Sequence, residues 1–67
     1  MIRVVLNGRE RELEKPCSIG EFVASLDLHA SRVAVERNGE IVPKAKYRET
    51  QLAEGDRLEI VEFVGGG

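Results

Sequence analysis

The segment SIGEFVASLD, residues 18–27, decides the fold, because it shows the clear helical periodicity around which the strands can be placed. Ser18 and Glu21 have the spacing of a capping box, in which each side chain bonds the backbone N–H of the other residue. One apolar stripe at helical spacing follows, made of Ile19, Phe22, Val23 and Leu26. The sequence therefore predicts one amphipathic helix over about Ile19–Asp27.

A β-hairpin is predicted before this helix. Residues 1–6 alternate, with Ile2, Val4 and Leu6 on one face and Arg3 and Val5 on the other. Asn7-Gly8 then forms a tight turn, because both residues tolerate a positive φ. Residues 9–14 pair back as a heavily charged strand, which suits an edge that must resist pairing with other molecules.

Short strands and turns are predicted after the helix. A third strand starts at residues 33–35, Asn38-Gly39 forms a second tight turn, and residues 41–42 extend as far as Pro43. Residues 44–47 form an irregular connection or a short helical turn, and residues 51–52 a brief strand or loop. After a turn at residues 54–56, the last strand covers residues 57–63.

This order of elements predicts an α+β fold with the helix packed on one face of a sheet. The core is expected to contain the apolar residues that face the helix and the stripe of the helix itself. These residues are Ile2, Val4, Leu6, Leu13, Ile19, Phe22, Val23, Leu26, Val33, Val35, Ile41, Leu52, Leu58 and Ile60.

The size and charge of the chain limit the possible functions. A chain of 67 residues forms one domain with a modest core, which favours a module that is bound or modified over an enzyme with a large cleft. The net charge of −2 gives no basic patch of the kind that binds phosphate backbones. Without a transmembrane run or a signal peptide, we expect no membrane partner and a cytoplasmic location.

Cys17 and His29 are the only cysteine and the only histidine. A single cysteine excludes an internal disulfide, a cysteine-based zinc site and a four-cysteine cluster. Cys17 precedes the predicted helix, whose dipole favours a thiolate there, so the position is compatible with a reactive or sulfur-relaying thiol as well as with a passive residue. The passive role is the expectation, because every helix has some residue at that position. We predict no catalytic residue and no metal site.

The chain closes with Gly65, Gly66 and Gly67 after an apolar strand. Glycine has no Cβ, so such a segment can pass where other residues clash. Fully extended, residues 64–67 span roughly 13 Å, enough to thread a carboxylate into a narrow enzyme site. The alternative is an incidental terminus.

Two segments carry a resemblance that extends over essentially the whole chain. Residues 37–43 read RNGEIVP, and residues 55–61 read GDRLEIV before the closing glycines. With the Asn7-Gly8 hairpin and the Ser18-capped helix, this pattern resembles the ThiS family of sulfur carrier proteins. The resemblance implies a ubiquitin-like β-grasp, with a mixed sheet of four to five strands packed on one helix. Residues 1–64 would form the domain and residues 65–67 a flexible tail.

The resemblance also implies a chemistry and a set of partners. A ThiF-like adenylyltransferase would use MgATP to activate the Gly67 carboxylate as an acyl-adenylate, and this chain would bind no cofactor itself. A sulfur donor such as a cysteine desulfurase would then convert Gly67 to a thiocarboxylate. A ThiG-like thiazole synthase would take that sulfur for the thiazole ring of thiamine, so the chain would be a co-substrate and not an enzyme.

A docking surface for these partners is predicted beside the tail. If Ile2, Val4, Leu58 and Ile60 face the helix, other apolar side chains of the first and last strands face outward. Exposed apolar side chains near a reactive terminus indicate a partner-binding patch, which we assign to Val5, Val61, Phe63 and Val64.

Three other functions stay open at this stage. A MoaD-like carrier for molybdopterin shares the Gly-Asp turn and the Gly-Gly end, but typically has a Pro-Pro pair where this chain has residues 62–64, EFV. A ubiquitin-related protein modifier would use the same tail. A β-grasp interaction module with an incidental tail, binding RNA or a regulator, would use a basic strip of Arg9, Arg11, Lys44, Lys46 and Arg48.

Overall fold

The computed structural model describes residues 1–63, so the predicted tail and Val64 lie outside the described part. The described chain folds into a five-stranded mixed sheet with one helix, as predicted. The strands are β1 (Ile2–Leu6), β2 (Arg9–Leu13), β3 (Val33–Arg37), β4 (Glu40–Ile41) and β5 (Arg57–Glu62). The helix is α1 (Ile19–Ser25), and short 3-10 turns cover Ala30–Arg32 and Lys44–Lys46.

The sheet order is β2-β1-β5-β3-β4, which places the last strand of the chain in the middle. β5 runs parallel to β1, and the pairs β1–β2, β3–β4 and β3–β5 are antiparallel. Both tight turns form as predicted, with φ of 51° and 84° at Asn7 and Gly8 and of 53° and 86° at Asn38 and Gly39. These are the left-handed conformations that two-residue hairpins require.

The capping box at the start of α1 is confirmed. The Glu21 N–H donates to the Ser18 hydroxyl at 3.0 Å, and the Ser18 N–H donates to the Glu21 carboxylate at 2.9 Å. The helix ends at Ser25, before the predicted limit at Asp27. The prediction was too long because Asp27 adopts a φ of 61°, a left-handed conformation that cannot continue a right-handed helix.

The core lies between α1 and one face of the sheet, and most of the predicted core residues occupy it. Its buried members are Val4, Ile19, Phe22, Val23, Val33, Val35, Tyr47, Leu52, Leu58 and Ile60. Four predicted members, Ile2, Leu6, Leu13 and Leu26, are partly buried against this cluster. Together they form one apolar layer, as an α+β fold of this size requires.

Two core assignments need correction. Ile41 was predicted to be buried but is 71% exposed. It pairs with Glu36, which alternates with the buried Val35, so both side chains lie on the face of the sheet away from α1. Tyr47 was not predicted but is buried, because the turn after Lys44–Lys46 brings it under the helix, where its carbonyl accepts from the Gly20 N–H at 3.0 Å.

A buried carboxylate ties the start of β5 to the end of β3. Asp56 accepts hydrogen bonds from Arg37 Nε at 2.9 Å, Asn38 Nδ2 at 3.1 Å and the Ala53 N–H at 2.8 Å. Burial alone would raise the pKa of this carboxyl, but the hydrogen bonds from Arg37, Ala53 and Asn38 and the charge of Arg37 together lower it. Asp56 therefore stabilises the fold in its ionised form.

We predict that Asp56→Asn lowers the free energy of unfolding by about 2–3 kcal/mol at pH 7. The new NH₂ group replaces one of the two oxygens that accept from Arg37, Asn38 and the Ala53 N–H, so a donor would face a donor. The folded-state pKa lies below the unfolded value, so the wild-type advantage is present above the unfolded pKa. It is lost as the pH falls through the folded pKa. Urea denaturation at pH 7 and at decreasing pH below 4 checks this. The exposed Glu14→Gln serves as control, and a difference independent of pH would contradict the linkage.

Candidate functional site

The structure places β5, the strand that precedes the predicted tail in the sequence, in the middle of the sheet. β5 pairs with β3 from Leu58 to Glu62, the last residue of the strand. The pairing continues for one more residue, because the Phe63 N–H donates to the Arg32 carbonyl at 2.8 Å. The predicted functional terminus at Gly67, with Gly65 and Gly66, lies outside the described residues. The sheet thus fixes the point after which these residues follow.

An apolar surface lies beside this point, on the outer face of the sheet, away from α1. Val61 and Phe63 are 58% and 56% exposed, and they alternate with the buried Ile60. Ala34 lies opposite Val61 on β3, and the exposed Ile41 lies one strand further out. We call Ala34, Ile41, Val61 and Phe63 the outer patch. Three of the four are exposed and Ala34 is half-buried, and apolar side chains that share one open face in this way are typical of binding surfaces.

Two carboxylates border the outer patch. Glu36 and Glu59 are directly opposite each other on β3 and β5, and both are exposed. Like charges at directly opposed positions of two paired strands destabilise a sheet. A partner with cationic side chains at this point would remove that repulsion.

Val5, predicted as part of the docking surface, lies apart from the outer patch. It is on the same face but is in register with Arg57 and is half-buried. Arg57 and Val61 are four positions apart on β5, which corresponds to roughly 13 Å along a strand. Val64 lies outside the described residues. The outer patch therefore joins Val61 and Phe63 with two residues that sequence analysis had not assigned, Ala34 and Ile41.

Ile41 was missed as a surface residue because its strand is only two residues long. In so short a strand, alternation cannot show which side chain faces inward. The register with Glu36 supplies that information, and it comes from a contact between strands.

The side chain of Asn7 extends the pairing of β1 with β5. The Asn7 N–H donates to the Leu58 carbonyl at 2.8 Å. Its side chain then bonds both backbone groups of Ile60, with the Ile60 N–H donating to Oδ1 at 2.9 Å and Nδ2 donating to the carbonyl at 3.2 Å. The amide thus acts as one more backbone unit of β1, although the chain turns away at Gly8.

We predict that Asn7→Gly keeps the hairpin, because glycine adopts the same positive φ, but removes both bonds to Ile60. Its free energy of unfolding should fall by about 1–2 kcal/mol. Amide hydrogen exchange should become faster at Ile60 than in the wild type and remain unchanged at Glu21 in α1. Equal acceleration at both amides would indicate general destabilisation and contradict the local role.

Cys17 does not have the properties of a reactive thiol. Its side chain is partly buried against the core. Burial and the negative charge of Glu21 raise the pKa of the thiol above its ordinary value. The thiol is therefore protonated at neutral pH, which opposes the thiolate that the helix dipole would favour.

The basic strip proposed for an RNA-binding module does not form one surface. Arg9 and Arg11 lie on β2 at one edge of the sheet, whereas Lys44 and Lys46 follow β4 at the opposite edge. Lys44 Nζ donates to the Val33 carbonyl at 2.7 Å, and Lys46 Nζ lies 3.7 Å from Glu49. This distribution gives no continuous track for a phosphate backbone.

Within residues 1–63, no cluster of three or more histidine, cysteine or carboxylate side chains has the arrangement of a metal site. No helix in this part of the chain has the length and the apolar character needed to cross a bilayer.

Comparison with known proteins assigns the family. The model of the ThiS family matches residues 4–67. The chain belongs to the ThiS family. Members of this family are small sulfur carrier proteins, so the resemblance found in the sequence is confirmed.

Relatives and solved structures agree with this assignment. The chain is 44% identical over 63 residues to the sulfur carrier protein ThiS of Bacillus subtilis, covering 92% of this chain and 96% of that protein. The crystal structure of the thiamine biosynthesis protein ThiS from Geobacter metallireducens superimposes with a TM-score of 0.83 at 28% identity. That match covers 98% of this chain and all of the other. The β-grasp prediction is therefore confirmed.

A third relative is much larger than this ThiS chain. The thiazole synthase of Paramagnetospirillum magneticum is 42% identical to it over 66 residues, which cover 98% of this chain. The chain spans only 20% of the length of that synthase. A segment similar to this ThiS chain is thus part of a thiazole synthase polypeptide.

Proposed function

We propose that this chain carries sulfur as a thiocarboxylate on Gly67 and donates it for the thiazole ring of thiamine. The observation that carries the proposal is the family match, which extends through the closing glycines to residue 67. The Bacillus subtilis sulfur carrier supports it, since the alignment covers 96% of that protein. In this proposal the chain itself binds no cofactor and catalyses no step.

The proposed chemistry follows from the weak electrophilicity of a carboxylate. A ThiF-like adenylyltransferase would use MgATP, and a Gly67 oxygen would attack the α-phosphorus with release of pyrophosphate. The terminal sulfur of a persulfide, supplied by a donor such as a cysteine desulfurase, would then attack the acyl carbon, and AMP would leave with the bonding electron pair. A thiol would reduce the resulting acyl disulfide and leave the thiocarboxylate.

The contribution of the fold to this chemistry is to hold the end of β5 in place. Hydrogen bonds hold β5 to β1 as far as Ile60 and to the β3 side as far as Phe63, so the point at which the chain continues toward Gly67 is fixed by the sheet. Glycines at residues 65–67 carry no side chain that could clash inside a narrow enzyme site. A partner that binds the outer patch would therefore find Phe63, from which the chain continues toward Gly67, at a fixed position.

A ThiG-like thiazole synthase is the proposed acceptor enzyme. The thiazole synthase of Paramagnetospirillum magneticum contains a segment 42% identical to this chain. A carrier and a synthase joined in one polypeptide would meet at high effective concentration, which is useful only if the two act on each other. This supports the thiazole branch over a carrier for molybdopterin or a protein modifier.

The main test removes the closing residues. We expect that the full chain, incubated with MgATP and its ThiF-like adenylyltransferase, releases pyrophosphate and gains the mass of an adenylate. With the sulfur donor and a thiol present, it should instead exchange one oxygen for sulfur. A variant lacking Gly66 and Gly67 should show neither change.

Intact-protein mass spectrometry and a pyrophosphate assay measure both results. The matched control carries Gly65→Ala, which keeps the length and the terminal pair and should be modified at a similar rate. Modification of the shortened variant, or none of the full chain, would refute the proposed function.

The outer patch gives a second prediction. We expect the double variant Val61→Ser and Phe63→Ser to lower kcat/KM for adenylation by at least about tenfold, since two apolar contacts are each worth about 1.5 kcal/mol or more. Val5→Ser tests whether the predicted patch reaches as far as Val5, and we expect it to change kcat/KM by less than about threefold. Circular dichroism must show that each variant is folded. An unchanged kcat/KM in the folded double variant would exclude the outer patch as the docking surface.

A further inference from the structure

The two neighbours of β5 are of unequal length. β3 pairs with β5 up to Glu62, whereas the register of β1 with β5 covers only Arg57 and Leu58. The Asn7 side chain extends this pairing to Ile60. Beyond Ile60, no strand in the described part of the chain lies on the side of β5 that β1 occupies before that residue. We call this unoccupied strand position the empty lane.

The hydrogen bonds of β5 with its neighbours show which way its backbone groups point. The Arg57 carbonyl accepts from Asn38 at 2.7 Å, and the Phe63 N–H donates to Arg32 at 2.8 Å, so odd-numbered residues of this strand face β3. Even-numbered residues face the β1 side, as the bonds from Asn7 to Leu58 and Ile60 show. By this alternation, the N–H and the carbonyl of Glu62 face the empty lane.

Within residues 1–63, no residue pairs with Glu62 from that side. The chain turns back at Asn7 and Gly8, and β2 lies on the far side of β1. Glu62 itself is exposed. An unpaired donor and acceptor at the end of a central strand form a template for one more strand.

This edge differs from the outer edge of β2. The β2 edge is covered with charged side chains, which oppose pairing with other molecules. The edge at Glu62 is instead flanked by the exposed apolar residues Val61 and Phe63. It also directly precedes the residues that the proposed function delivers to an enzyme.

We propose that an extended segment of the thiazole synthase pairs with the Glu62 backbone and fills the lane that β1 leaves open. The proposal rests on the proposed function and adds a binding mode to it. Main-chain pairing of this kind supplies affinity without depending on side chains, and it holds the paired chain extended. The synthase is the chosen partner because a carrier-like segment is part of one thiazole synthase polypeptide.

The test removes one backbone donor. Glu62→Pro lacks the N–H, and proline is tolerated where that group faces away from the neighbouring strand. Glu62→Ala removes only the side chain. Glu10→Pro is the matched control, because Glu10 is opposite Val5, whose N–H faces β5, so the Glu10 N–H faces outward from β2.

Titration calorimetry with the purified thiazole synthase should show that Glu62→Pro weakens binding by about fivefold to tenfold, the value of one hydrogen bond. Glu62→Ala and Glu10→Pro should stay within about twofold of the wild type. Wild-type affinity for Glu62→Pro, or an equal loss in Glu62→Ala, would overturn the proposal. If Glu62→Pro does not fold, a synthetic protein with an ester in place of the Val61–Glu62 amide tests the same donor.

Amide hydrogen exchange of the wild type gives an independent measurement. The Glu62 amide should exchange quickly in the free protein and at least about tenfold more slowly with the synthase bound. Protection by the ThiF-like enzyme but not by the synthase would overturn the choice of partner. A wild type that neither binds the synthase nor passes sulfur to it would refute the proposed function. Normal binding and transfer without Glu62 protection would refute only this inference.

Discussion

The parallel pairing of β1 with β5 is the interaction on which the rest of the structure depends. It joins the first and last strands of the chain, and it closes the sheet around the core residues Val4 and Leu58. Few bonds maintain it. The backbone bonds from Val5 to Asp56 and from Asn7 to Leu58 are reinforced by the Asn7 side chain at Ile60. Because parallel pairs need a long connection, everything between Gly8 and Asp56 serves as the crossover.

The same pairing explains why Asp56 is buried. The carboxylate lies at the first residue before β5, where the chain enters the lane between β1 and β3. The bonds that the carboxylate accepts from Arg37 and Asn38 hold this entry against β3, and the backbone carbonyl of Asp56 accepts from the Val5 N–H on β1. Asp56 therefore fixes the start of β5 against both of its neighbouring strands, β1 and β3. The position of the outgoing end, six residues later in the strand Arg57–Glu62, is determined by that start.

How far the sequence predicts this structure depends on how local each feature is. The capping box of Ser18 and Glu21 and the two Asn-Gly turns were predicted correctly, because each depends on residues within a few positions of each other. Ile41 and Tyr47 were assigned incorrectly or missed, because their burial is set by contacts with Glu36 and with the Gly20 region across the fold. The family resemblance was confirmed because its motifs extend along the whole chain.

The candidate site was predicted less completely than the fold, for the same physical reason. Alternation along β5 was enough to place Val61 and Phe63 on one face, but not to show that Val5 lies beside Arg57 instead. The Glu62 edge could not be predicted from alternation at all. It exists because β1 ends at a two-residue turn while β5 continues, and this difference in length appears only when the register is known.

A carrier that serves several enzymes has to be recognised more than once through the same small surface. The outer patch offers side chains, and the Glu62 edge offers backbone groups, on two different sides of the same strand end. An enzyme that uses the first needs a complementary apolar face, while one that uses the second needs only an extended segment. Under the two proposals, partners with unrelated folds would each bind beside the same strand end, without either surface being altered to suit the other.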